Sequence, residues 1–266
     1  MLRGMGRWLL ALIAVTAWAA GAAWWFREPL TDWLSGRDGT LEANEESAGP
    51  WRDAETYAVL ASELARWHGE LAERHRRARS ETERTAVEHD ARVILEQVLP
   101  EMMRCWLGTP WDYNGTASMP GEDGIACGYY VATVLRDAGF RLDRYQLAKQ
   151  PSENILRSFL DRPSCVLTVG KDYDVFADDL DSAEPGIYLV GLDTHVAFIV
   201  TGHGDGFRFI HASGSDPWRV VDEDRDEALV LQRSRWRMLG NLTAEPKVIR
   251  RWLRGERIVV RGAGAS

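Results

Sequence analysis

Cysteine is scarce in this chain: three in 266 residues, with no CxxC pair and no Cys/His cluster at zinc-ligand spacing. A structural metal is therefore not expected, and no cofactor is implied. Long basic blocks are absent too. With 32 Lys and Arg against 40 Asp and Glu, the formal charge is −8, which argues against nucleic acid as a partner. No internal repeat and no low-complexity tract interrupts the chain. What the chain does have is apolar mass: 45% hydrophobic residues and twelve tryptophans, enough for one sizeable packed domain with appendages.

Charge is also missing locally. Residues 8–26 form an uncharged run of 19 residues, long enough to cross a bilayer. Arg3 and Arg7 precede it, whereas Arg27 is offset by Glu28 and Asp32, so the positive-inside rule places the N-terminus in the cytoplasm and the rest outside. Trp8, Trp24 and Trp25 suit the two interfaces. A cleaved signal peptide is the rival reading, since Ala17, Ala19, Ala20 and Ala22 offer small-residue cleavage sites. The run continues past them into Trp24-Trp25-Phe26, which favours an uncleaved anchor. No cysteine follows closely, so lipoprotein processing is not expected. Export would permit a disulfide, and three cysteines suit one pair and one thiol. Cys105 with Cys165 could form that pair and leave Cys127 as the thiol, although spacing alone does not establish it.

Residues 27–50 have linker composition. In residues 51–100, Tyr57, Leu60, Leu64, Trp67 and Leu71 draw one helical stripe, and Val87, Ala91, Ile94 and Val98 a second after a charged turn. A helical hairpin packed on its own domain is expected, although such a pair can also dock an envelope protein partner. Residues 101–266 form the remaining domain with a C-terminal extension. Residues 108–124 read as a loop and residues 126–138 as a helix stopped by Gly139. Short β-rich runs follow at residues 165–169, 186–190, 195–201 and 207–211, with residues 229–232 a further candidate strand and a closing strand and helix in residues 234–260.

Cys127 lies in the first turn of its predicted helix, where oriented N–H groups favour a thiolate. His195 opens the apolar strand VAFIV, and His211 ends FRFIH 16 residues later, a spacing that suits neighbouring antiparallel strands. A thiol, a base and a polar group that orients the base are the parts of nucleophilic acyl transfer. His68, His75 and His89 fall on charged helical faces, His203 in a turn, and the acidic run at residues 221–227 reads as a solvated loop.

Four stretches carry a resemblance to the NlpC-type cell-wall cysteine peptidases, a papain-like family. LGTPWDYNG is similar to the family's glycine-rich loop, GIACGYYVATVLRDAGF to its nucleophile helix, EPGIYLVGLDTHVAFIV to its strand pair with the base histidine, and GFRFIHAS to the strand that follows. The resemblance implies an α+β papain-like domain in which a nucleophile helix packs on an antiparallel sheet, here preceded by a transmembrane helix and a helical segment. It implies Cys127 as nucleophile, His195 as base and His211 as third member. Trp111 or Tyr113 would lie beside the nucleophile, and the backbone N–H at the start of the helix, with Gly128 beside it, would meet an oxyanion. The implied substrate is the peptide stem of peptidoglycan, and the implied place is the envelope face of a bacterial inner membrane. The chain departs from the family at Ala126, Gly128, Tyr129 and Ile187, where the family has Asp, Ser, Gly and Asp. With the capping carboxylate gone, Asp123 is the nearest substitute. These departures keep two other readings open: a thiol amidase or acyltransferase for another amide or for lipid, and an inactive scaffold.

Overall fold

The chain begins its described course with two long helices, α1 (Ala54–Arg77) and α2 (Glu81–Arg104), in a computed structural model that describes residues 52–202 and 206–262. Local chemistry sets their ends. Asp53 accepts the Thr56 N–H at 2.8 Å, and Ser80 accepts the Glu83 N–H at 3.1 Å while the Glu83 carboxylate takes the Arg79 N–H at 2.6 Å. The α1 stripe of Tyr57, Leu60, Leu64, Trp67 and Leu71 is buried, as are Val87, Ala91, Leu95 and Val98 of α2. The Asp53 N–H donates to the Cys105 carbonyl at 3.0 Å, closing the hairpin at its base.

Beyond a loop come α3 (Cys127–Asp137), α4 (Arg144–Ala148) and α5 (Ser152–Phe159). Then follow β1 (Val166–Val169), α6 (Tyr173–Asp181), β2 (Gly186–Leu192), β3 (Val196–Thr201), β4 (Arg208–Ala212), β5 (Val220–Glu223), α7 (Leu229–Arg233), β6 (Trp236–Asn241) and α8 (Pro246–Leu253). The six strands form one sheet in the order β1-β6-β2-β3-β4-β5, and each neighbouring pair is antiparallel. The central strands β2 and β3 are buried at every position because both faces are covered. Phe176 and Leu180 of α6 and Leu231 of α7 share one core with Tyr188, Val190, Ile199 and Phe209. Tyr130 of α3 meets Phe198 edge-on at 6.0 Å. The described residues fall in one compact unit.

Several expectations are corrected. The expected architecture led with a transmembrane helix ahead of a papain-like domain. The described residues instead give a mixed α+β unit with a six-stranded antiparallel sheet and eight α-helices, and among them no helix is long and apolar enough to cross a membrane. The apolar run at residues 8–26 and the linker at 27–50 lie outside the described residues, as does His203. Residues 229–232 form a turn of helix, not a strand. The Arg237 guanidinium donates to the carbonyls of Leu231 and Gln232 at 3.1 and 3.0 Å, so the carbonyls at the end of this turn have their partner on β6. No disulfide joins Cys105 and Cys165: the first is buried at the end of α2 and the second precedes β1.

His75 is buried against Glu88 at 3.3 Å, and the partly exposed Arg250 of α8 also reaches Glu88 at 2.8 Å, so this part of the charged face is covered by α8. His68 is likewise engaged, at 2.7 Å from the Trp252 carbonyl. The acidic run begins as strand β5, where Asp222 accepts from Arg104 and Arg208, each at 2.8 Å.

Candidate active site

The loop before α3 is shaped by backbone pairing. Gly108 and Val220 exchange bonds with the sheet edge: Gly108 N–H to the Val220 carbonyl, and Val220 N–H to the Thr109 carbonyl, both 2.9 Å. The Trp111 N–H reaches the Trp218 carbonyl at 2.8 Å, and the Ala126 N–H reaches Gly115 at 3.0 Å. A Cβ on Gly115 would stand 2.2 Å from the Gly124 carbonyl oxygen, so the close approach that folds this loop requires glycine. Arg144, only 4% exposed, braces the same loop. It donates to the Thr116 and Ala117 carbonyls at 2.9 and 2.5 Å and to Thr133 on α3 at 2.6 Å.

Cys127 is the first residue of α3. Ala126 gives no side-chain cap, and Asp123 does not take that role. The opening N–H groups of the helix are therefore left for the sulfur or for a substrate oxygen. Gly128 has a packing reason: a Cβ there would lie 2.2 Å from the Ala148 carbonyl oxygen. Glycine here lets the end of α4 close on the start of α3 beside Cys127.

His195 sits in the tight turn between β2 and β3, where the Leu192 N–H donates to the His195 carbonyl at 2.8 Å. Asp193 pins that turn by accepting from the Ser234 hydroxyl at 2.6 Å and the Arg235 N–H at 3.0 Å. His211 lies within β4. The pairing of Phe198 with Ile210 brings the two imidazoles together, and His195 Nε2 lies 2.8 Å from His211 Nδ1. Their rings cross at 83°. Phe209 supports both, with its ring centroid 4.2 Å from His211 and 6.4 Å from His195. Behind them, His211 Nε2 meets Glu223 Oε2 at 3.1 Å, a diagonal contact across the β4–β5 pair.

A cavity of about 800 Å³ opens on this arrangement. Its wall includes Trp111, Tyr113, Cys127, Gly128 and His195. His211 is fully buried behind His195 and does not line it. Tyr113 is 78% exposed at the mouth, whereas Trp111 packs against Trp218 at 5.4 Å and covers Gly214. No hydrogen bond joins the Cys127 sulfur to His195; the two groups share the wall, and the Val196 N–H favours the thiolate. Among the described residues, Lys149 is the one Lys, Arg, Asp or Glu in the wall.

Burial governs the protonation states. It raises the Cys127 thiol above its ordinary value, although the N–H groups of Val196, Gly128 and Cys127 itself pull the other way. The helix start does not yield a thiolate at rest, contrary to the sequence expectation. Burial also pulls His195 well below the usual imidazole range, with His211 adding to the effect, and brings His211 down to about 3. Glu223 rises to about 7, first through burial and then through Glu227. The resting site is therefore a neutral thiol beside a neutral imidazole, the state from which general-base catalysis starts.

Glu223 is what sequence reasoning missed. Its position in an acidic run hid it, and the only available signal was that β5 pairs with the strand of His211. Among the described residues no group of three His, Cys, Asp or Glu side chains is arranged to hold a metal ion. Comparison with protein-family models, with curated proteins and with solved structures finds no match.

Proposed function

We propose that this chain is a thiol-dependent amide hydrolase. The observation that carries the reading is the 2.8 Å bond from His195 Nε2 to His211 Nδ1, which orients an imidazole in the wall of the cavity that also holds Cys127. With Nε2 engaged, Nδ1 is the nitrogen of His195 left to act as base. Cys127 Sγ attacks the amide carbonyl as its proton passes to His195 Nδ1. The resulting oxyanion is met by the N–H groups at the start of α3. Collapse breaks the C–N bond, and the amine leaves with the proton from His195. A thioester remains. Water then gives a proton to His195 and attacks the thioester, releasing the acid and restoring the thiol.

The substrate class comes from the resemblance of the four motif stretches: peptide stems of peptidoglycan in a bacterial envelope. The 800 Å³ cavity has room for a few peptide residues, and Trp111 and Tyr113 offer faces for aliphatic stem residues. The test is incubation of the purified full chain, wild type and Cys127→Ala, with muropeptides, read by mass spectrometry. Cleavage at an amide bond that the variant lowers by about a thousandfold or more is the expected result. Equal cleavage by both proteins, or cleavage by neither with a Cys127 no more reactive than an ordinary thiol, would overturn the reading.

A further inference from the structure

We propose that Glu223 is a positioning residue of this site: its carboxylate dictates the tautomers of His211 and His195, so that His195 turns a bare Nδ1 towards Cys127. The proposal rests on the thiol chemistry above and adds a neutral-pH gate to it.

The geometry is a chain of two hydrogen bonds ending on a carboxyl group. His195 Nε2 and His211 Nδ1 are 2.8 Å apart, and His211 Nε2 and Glu223 Oε2 are 3.1 Å apart. His211 has no exposed surface and the Glu223 side chain is 15% exposed, so water competes weakly for these bonds. An ionised carboxylate can only accept. His211 must then carry its hydrogen on Nε2, which leaves Nδ1 bare. His195 must donate from Nε2 to that bare Nδ1, which leaves its own Nδ1 bare. Both imidazoles are neutral, so no second proton can relax this order. When His195 takes the thiol proton on Nδ1, the charge that develops faces an anion through two hydrogen bonds.

A protonated Glu223 lifts the constraint, because a carboxylic acid can donate. If it donates to His211 Nε2, His211 Nδ1 carries hydrogen and donates to His195 Nε2. The remaining hydrogen of His195 then sits on Nδ1, and the base is closed. No proton is created or lost within the histidine pair; one proton enters at Glu223. The groups around Glu223 are identifiable. Glu227 and Asp224 on the following loop and Asp222 on its own strand disfavour its ionised form, while Arg208 of β4 favours it. Arg208 is shared with Asp222, which Arg104 of α2 also engages, so its help is divided. Burial is the largest influence, and the group titrates at about 7. The gate would therefore open as pH rises through neutrality.

The test uses the full chain as wild type, Glu223→Gln and Glu223→Ala. Cys127 alkylation by iodoacetamide is followed by peptide mass spectrometry from pH 5 to pH 9, and ring tautomers are read by ¹⁵N-histidine NMR. In the wild type we expect the alkylation rate to show an inflection near neutrality, with both histidines as Nε2–H tautomers on the alkaline side. In both variants the inflection should vanish and alkylation at pH 8 should fall about tenfold or more. Glu223→Gln keeps the shape of the side chain and serves should Glu223→Ala fail to fold. A folded Glu223→Gln protein with the wild-type rate and pH profile would overturn the proposal, as would a wild-type His195 that carries Nδ1–H at pH 8. Absence of amide cleavage bears instead on the hydrolase reading, because tautomers and thiol reactivity are measured without a substrate.

Discussion

At the residue scale, the proposed chemistry depends on two neutral groups, Cys127 and His195, that share one cavity wall. Burial keeps Cys127 a thiol, so its attack needs His195, and His195→Ala should lower Cys127 alkylation and any amide turnover together by about a hundredfold or more. Unchanged rates in that variant would show that His195 is not the base. Glu223 also has a stability consequence with a definite sign. Its pKa is raised from 4.5 to about 7 on folding, so between those values the folded state holds a proton that the unfolded state has lost. Stability from this group is full below 4.5 and falls as pH rises through about 7. His195 and His211 act the other way: their pKa values are depressed, so their contribution is present above 6.5 and is lost as pH falls. Above neutrality the histidine contribution is fully present and the Glu223 contribution is lost. Glu223→Gln should therefore stabilise the protein at pH 8 by about 1–2 kcal/mol and have little effect at pH 5. Thermal melts at the two pH values check this, and an equal shift at both would refute it.

At the element scale, the start of α3 is fitted to α4. The sequence predicts the helix from its apolar period and its stop at Gly139, and the structure has it at Cys127–Asp137. It does not show why residue 128 is glycine, since the reason is the Ala148 carbonyl from another element. Gly128→Ser should displace residues 148–151, which line the cavity, and cost about 2 kcal/mol or more by overpacking. Denaturant unfolding measures the cost; a variant with wild-type stability and wild-type Cys127 reactivity would show that the contact is not tight. Residues 229–232 illustrate a different limit. Four apolar-rich residues have too little length for periodicity to separate strand from helix. Arg237, just beyond α7 on β6, donates to the carbonyls of Leu231 and Gln232 and so supports the helical turn.

At the scale of the whole molecule, the α1–α2 hairpin is built into the unit. Trp252 of α8, 1% exposed, is the pin: its Nε1 donates to the Ala138 carbonyl at 2.8 Å, and its ring lies 4.2 Å from that of His68. Tyr57 of α1 donates to Asp137 at 2.9 Å, so the hairpin also touches the end of α3. Trp252→Ala should cost about 3–5 kcal/mol, measured by denaturant unfolding, because a large cavity opens where three helices meet. A loss below about 1 kcal/mol would show that the hairpin docks without it.

The sequence by itself determined the local elements that bear the site: the helix that begins at Cys127, the two histidine strands and the two amphipathic stripes. These follow from periodicity, turn residues and caps, which act between residues near in the chain. It could also place His211 on a strand beside the one that His195 precedes, because few residues separate the two strands. Only the tertiary structure decided that Cys127 rests as a thiol, that His211 is wholly buried, that Cys105 and Cys165 stay apart, and that Glu223 stands behind the histidines. Burial and cross-strand pairing set those properties. Both depend on which distant segments cover a group, and no spacing along the chain records that.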